Sequence, residues 1–379
     1  TITSVTIPGS ITILQGFVFS DCTKLQTVSL GSGMTAIGSH AFSGCTSLAS
    51  VVLPDTVNTI GNYAFYQCSG LTSATLPAHI TSIPQGMFEE TGLTSITLPD
   101  TVQSIGDTAF ESSALQSITT PESCTRIGWQ AFYECTSLTT ANLTAVEFID
   151  QSAFQGCSLL TSLTLSDSLN TVGANAFNGC RFSSLVLPAS LYNAAFKSFA
   201  GNTALTSVTI QGSPIISEQA FSGCTNLSRA YIISTDAVFG LYVFYETKVE
   251  DASPAANGIY GFAGSTAQTF AAANYPVINF HPCVLVSFDE DGGSAVSDQF
   301  IETGSAAAEP SAPTRASHIF GGWYPTAACD TAAVTFPYTV TADTTLYAKW
   351  TELTLSSSVA SGKIYTGGRI TLTPSVDGG

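Results

Sequence analysis

Positive charge is scarce in this chain. Only 10 Lys and Arg stand against 27 Asp and Glu among 379 residues, a formal charge of −17. Such a surface repels polyanions, so neither nucleic acid nor anionic lipid is an expected partner. Charge of either sign is thin, at 10% of residues, and polarity rests on Ser, Thr, Asn and Gly. Long apolar runs are missing too: no stretch of the length that spans a bilayer, about 18 residues or more, occurs, and no membrane insertion is expected of this fragment. No signal peptide is visible, and Thr1 falls inside the alternating stretch TITSVTIPGS without a polar capping coil before it. That start reads as a trimmed piece of a longer protein. Catalytic groupings are absent as well. His40, His79, His281 and His318 are scattered, and no Ser sits in a G-x-S-x-G elbow. No enzyme activity, cofactor or metal is expected from such a set.

What the chain does have is a period. Phe19, Phe42, Phe65, Phe88, Phe110, Phe132, Phe154, Phe177, Phe199, Phe221 and Phe244 follow one another at 22 or 23 residues. A repeat of that length predicts a mostly β, leucine-rich-repeat solenoid of about eleven coils, each stacked only on its neighbours. One unit reads LASVVLPDTVNTIGNYAFYQC, from Leu48 to Cys68. Its first part alternates as a half-buried strand should, with Val51 and Leu53 inward and Pro54 ending the strand. Val57 and Ile60 face inward from a second short segment, and a tight turn at Gly61 leads to Ala64 and Phe65. With coils at the spacing of paired strands, the stack is about 50 Å long.

The stretch LTSITLPDTVQSIGDTAF, Leu93 to Phe110, and its siblings resemble the bacterial BspA-like leucine-rich repeats over roughly residues 1–250. The resemblance implies a secreted or surface-attached bacterial protein, in a family some of whose members are adhesins. Residues 251–283, with a Ser-capped helix near Ser265 to Asn274, resemble the closing element of such arrays. Residues 284–351 resemble the Listeria–Bacteroides or internalin-type B-repeat. The matching residues are Phe288, the turn Asp291–Gly292–Gly293, Pro313–Thr314–Arg315, Phe320–Gly321–Gly322–Trp323–Tyr324 and Thr344 to Trp350. This implies a small β-grasp-like sheet. Residues 352–379 look like the first strands of an Ig-like module.

Seven of the ten cysteines, Cys22, Cys45, Cys68, Cys135, Cys157, Cys180 and Cys224, stand three residues after a repeat Phe. Thr91, Ser113, Asn202 and Thr247 take that place in the other coils. The position is expected to need a small, weakly polar filler of a buried turn. Side chains stacked in a row point in parallel, which favours free thiols over disulfides and cannot wrap a tetrahedral metal. Asp289, Glu290 and Asp291 form a dense carboxylate turn, read as solvated rather than calcium-binding because the loop is short and ends in Gly-Gly.

Two candidate surfaces remain. Outward strand positions form Ser/Thr ladders, Ser4 to Arg229 and Thr6 to Tyr231, expected to pack and hydrogen-bond between strands. Variety enters only at Arg229 and Tyr231. The turn side is more diverse: Tyr63, Tyr66, Glu89, Glu90, Glu111, Trp129 and Tyr133 are the candidate contact residues. The expected function is non-enzymatic: a bacterial surface or secreted protein that binds a protein or glycan on a host or bacterial surface. Its rival is a stalk whose active part lies elsewhere.

Overall fold

The computed structural model describes residues 2–251, 253–274 and 278–353. The expected Ig-like strands lie outside the described residues from 354 onward. The chain divides into two compact units, 1–281 and 282–379, each with its own core.

In the first unit each coil has three sides. The first side is a short parallel strand. Ser50–Val52 pairs in register with Ser73–Thr75, Ser117–Thr119 with Thr140–Asn142, and Ser184–Leu187 with Ser207–Gln211. Val51 and Leu53 are buried here while Ser50 and Val52 face out, as alternation dictates. The outward hydroxyls do not behave as the sequence suggests. None of Ser50, Ser73, Thr75, Ser95, Thr97, Ser117, Thr119, Ser162 or Thr164 forms a side-chain hydrogen bond within the protein; neighbours point in parallel into solvent.

The second side is a row of two-residue parallel strands, running from Ile13–Leu14 to Thr59–Ile60 and again from Ser82–Ile83 to Val238–Phe239. In six of the coils a glycine follows this strand, close against the preceding coil, while Gln15, Pro84, Asp150, Ala195 and Ser217 take the place in the others. A Cβ on Gly61 would collide with the backbone of Gly38 and Ser39 one coil back.

The third side carries the phenylalanines, and its backbone alternates in sign. Positive φ occurs two residues before and two residues after every repeat Phe, for example at Tyr63 and Gln67 around Phe65, and at Thr108 and Ser112 around Phe110. Alternation of this kind turns successive carbonyls of interest the same way. Phe65 donates its amide to the Met87 carbonyl, Phe88 to Ala109, Phe110 to Ala131 and Phe132 to Ala153, at 2.7–3.1 Å. Parallel chains of amides run through the residues two before Phe (Tyr63 to Gln85, Gly86 to Asp107) and two after it (Gln67 to Glu89, Glu90 to Glu111). Left-handed conformations cost a non-glycine residue about 1–2 kcal/mol, and these interlocking bonds offset that cost.

Behind this backbone the Phe rings stack face to face, with centroids 4.8–5.8 Å apart from Phe19 to Phe244. All are buried except Phe19, half-buried in the first coil. Each buried ring contributes on the order of 1.5–3 kcal/mol. The residue three after Phe does more than fill space. Cys135 donates its thiol to the Phe110 carbonyl of the preceding coil at 2.9 Å, Cys157 to Phe132 at 3.1 Å and Cys224 to Phe199 at 3.2 Å. Asn202 donates to both Phe177 and Phe199. Thr91 and Thr247 serve the Phe carbonyl of their own coil instead. Burial pushes the Cys135 thiol up to about 11 and Cys224 to about 12, which keeps them protonated as donors.

Beyond the last repeat Phe, strand Gly258–Phe262 pairs with Arg229–Ile233, and helix Thr266–Ala273 sets Phe270 against Phe239 and Phe244. Ser265 caps this helix by accepting from the Gln268 amide.

In the second unit, Val286–Asp289 pairs parallel with Thr344–Tyr347, and His318–Tyr324 pairs antiparallel with Thr344–Glu352. A bulge falls between Phe320 and Trp323. Phe288, Trp323, Phe320 and Trp350 meet edge to face at 4.8–5.6 Å over Val286 and Leu346. The Asp289–Asp291 carboxylates are engaged within the turn: Arg315 bonds Asp291, Glu290 accepts from the Val296 amide, and Asp289 from the Asp291 amide.

Candidate functional site

The position directly after the repeat Phe places Tyr66, Glu89, Glu111 and Tyr133 in one row on four consecutive coils. Their carbonyls are acceptors of the third-side amide chains, so the backbone holds them at the pitch of the Phe stack. Glu90 and Glu134 stand one position further on, and Gln67 donates to Glu90 at 3.2 Å. The row is two carboxylates closed at either end by a tyrosine.

Tyr63 is fixed from three directions. It stacks on His40 at 4.9 Å, meets Tyr66 edge-on at 5.8 Å, and accepts from Gln85 at 2.9 Å. It also lies over Gly86, where any Cβ would collide with its ring. Trp129, 42% exposed, has its amide bonded to Asp107 at 2.9 Å.

Crowding shifts the titrations. Burial, then Glu89, Glu134 and Glu90, pushes Glu111 up to about 7. Burial raises Glu89, one of whose carboxylate oxygens is enclosed without a hydrogen-bond partner. Burial and the charges of Glu90 and Glu89 raise Tyr66; a hydrogen bond to Glu134 raises Tyr133. The arrangement can accept hydrogen bonds and attract positive charge, and its tyrosines offer apolar contact area. Among the described residues no three His, Cys, Asp or Glu converge as metal ligands.

Tyr63, Tyr66, Glu89, Glu90, Glu111, Trp129 and Tyr133 thus share the third side of coils three to six. Arg229 and Tyr231 do not join them. They lie on the first side, where Arg229 is exposed and Tyr231 packs on Tyr260 at 5.0 Å. Sequence reasoning missed a second aromatic cluster on the third side of the later coils. Tyr242 and Tyr245 meet edge-on at 6.0 Å, close to the Tyr63–Tyr66 geometry, and are 56% and 48% exposed. The signal was present: YAFY at Tyr63–Tyr66 and YVFY at Tyr242–Tyr245 occupy equal offsets from Phe, as do Trp129, Phe196 and Leu241.

Comparison with known proteins agrees with this architecture. The BspA type leucine rich repeat region matches in overlapping stretches, 1–113, 81–206 and 144–250, and the Listeria-Bacteroides repeat domain matches 285–349. A leucine rich cell surface protein of Faecalibacterium prausnitzii is 27% identical, covering 73% of this chain and 82% of that one, with a TM-score of 0.43. The pneumococcal vaccine antigen PcpA is 20% identical over 74% of this chain and 77% of its own, with a TM-score of 0.44. A protein of Evansella cellulosilytica, provisionally named a Gly-rich membrane protein, is 45% identical over 65 residues. That match spans 17% of this chain and 8% of the relative; a second from the same organism spans 20% and 12%. No helix among the described residues is long and apolar enough to cross a membrane. From its first residues to about 250, then, the chain belongs to the BspA-type leucine-rich repeat family, and a Listeria-Bacteroides repeat follows.

Proposed function

We propose that this chain is part of a bacterial surface or secreted adhesion protein, and that the third side of coils three to six is its contact face for a protein or glycan. The observation carrying this reading is the row Tyr66–Glu89–Glu111–Tyr133, with Trp129 exposed beside it. Here backbone bonds fix side chains that the solenoid itself does not need. Aromatic area next to hydrogen-bond acceptors is what a specific contact uses. The family supports a surface location and gives no support to enzymatic chemistry. The test is a glycan and matrix-protein array probed with the wild-type chain, Tyr66→Ala and Trp129→Ala. Binding lost in both variants supports the face; binding unchanged in both rejects it.

A second reading is favoured by the first side, whose hydroxyls are uniform and unengaged. In that reading the solenoid is a spacer, and an array with no hits supports it.

A further inference from the structure

Coil five, which carries Phe110, is the one coil among the described residues whose first side forms no strand. Its residues 93–98 lie between Ser73–Thr75 of coil four and Ser117–Thr119 of coil six without pairing to either. The lapse falls where a corner shortens: Phe88 to Leu93 is one residue shorter than Phe65 to Leu71, and Phe110 to Leu115 repeats the shortening. Elsewhere on this side the residue after the strand donates its amide to the next coil. Leu53 donates to Thr75 at 3.0 Å, Thr120 to Asn142 at 3.0 Å and Leu143 to Thr164 at 2.9 Å. The matching bonds from Leu76 to Thr97 and from Leu98 to Thr119 are not made. No backbone group of Ser95, Ile96, Thr97 or Leu98 bonds to another described residue. Leu76 and Leu98 are nonetheless only 8% and 7% exposed. Backbone groups in such places are almost always paired, with protein, water or a ligand.

Two cavities open where these bonds are missing. One, of about 510 Å³, lies between Thr75–Leu76 and Thr97–Leu98; the other, of about 310 Å³, lies between Thr97–Leu98 and Thr119–Thr120. They share Thr97, Leu98 and Asp100, so they form one cleft across coils four to six. At the pitch of paired strands it runs about 10 Å along the stack. An added strand does not fit. Coils four and five stay joined on the second side, where Ser82–Ile83 pairs with Ser104–Ile105, and on the third, where Phe88 donates to Ala109. Only small polar groups can reach the open amides and carbonyls.

The walls narrow the chemistry of those groups. Thr75, Thr97, Ser117 and Thr119 present outward hydroxyls, and among the described residues Asp100 is the only charged side chain lining the cleft. An anion is repelled by Asp100 and by the −17 of the whole chain. An apolar ligand would leave the amides and carbonyls unpaired. Hydroxyls both donate and accept, so they complete amides and carbonyls alike. Leu76, Leu98 and Pro121 supply apolar contact for the carbons that carry them.

We propose that this cleft binds a neutral sugar chain, whose hydroxyls bond the open backbone groups of coils four to six. It lies on a different side from the row Tyr66–Glu89–Glu111–Tyr133 and does not depend on what that row contacts.

An array of neutral glucans, xylans, mannans and N-acetylglucosamine oligomers, with sialylated and sulphated oligosaccharides alongside, tests this on the intact chain. Neutral chains are expected to bind and the anionic ones not. Calorimetry on the strongest neutral binder then locates the site. Thr97→Trp, which sets a bulky ring over both cavities, should weaken binding at least about tenfold, a change of about 1.4 kcal/mol. Thr209→Trp, the same outward position in coil ten, where the first side is paired to both neighbours, should leave it unchanged. Tyr66→Ala should leave it unchanged too. If circular dichroism shows Thr97→Trp unfolded, Thr97→Val with Thr119→Val removes the hydroxyls at nearly constant shape and should also weaken binding. An array without neutral hits would overturn the proposal. So would a preference for anionic chains, or equal losses in Thr97→Trp and Thr209→Trp.

Discussion

Two sides of the same coils solve the stacking problem differently. On the first side, extended strands bond to their neighbours in both directions, and the outward side chains are small and interchangeable. On the third side the backbone alternates in sign, every bridging amide points to the next coil, and the outward side chains are Tyr, Glu, Trp and Gln. Ser and Thr suit a pleated, solvent-facing strand. The third side keeps its pitch through amide chains and buried rings, so its outer positions are free to take chemistry. Variety thus gathers where the interior has already fixed the spacing.

The largest effect should come from the ring stack. Phe154 sits at the tightest point of the row, 4.8 Å from Phe132 and 5.1 Å from Phe177. Phe154→Ala should cost about 3–5 kcal/mol in urea unfolding. Trp323→Ala, in the second unit, should leave the solenoid transition where it is; a shared loss would merge two cores described as separate. An intermediate effect is expected where a buried donor serves the third side. Asn202 is fully buried and bonds two Phe carbonyls, so Asn202→Ala should cost about 1–3 kcal/mol by thermal denaturation. A cost near zero would mean the carbonyls do not need that donor. The smallest effect belongs to the first side: Ser73→Ala and Thr75→Ala together should shift stability by no more than about 0.5 kcal/mol. A larger loss would show that those hydroxyls contribute to the ladder after all.

The period of Phe made the solenoid legible, because a buried ring recurring at 22 or 23 residues can lie only on a stack axis. Val51, Leu53 and Cys135 were equally readable as interior from alternation and offset. The alternating backbone was not. Residues such as Tyr63, Gln67, Thr108 and Glu134 hold positive φ where a reader expects glycine, and only neighbouring coils make that conformation worthwhile. The cysteine row was read as filler because a thiol is a weak donor, visible as one only beside its carbonyl. Of the candidate site, the turn-side residues were recoverable by counting from Phe. Arg229 and Tyr231 were legible as outward strand positions from the period of their ladders.

The one-way amides have an electrical consequence. In an α-helix, aligned peptide units leave about half a positive charge at one end and half a negative charge at the other. Here the lines of amides run across coils instead of along a helix, with hydrogens toward the last coil and carbonyl oxygens toward the first. The positive end of this third-side array is therefore at coil eleven, where the Glu250 carboxylate accepts from the Glu246 amide. Second-side amides run the other way, Gly61 to Ile37 and Gly106 to Ile83, so two sides of the stack carry opposed dipoles rather than one shared polarity.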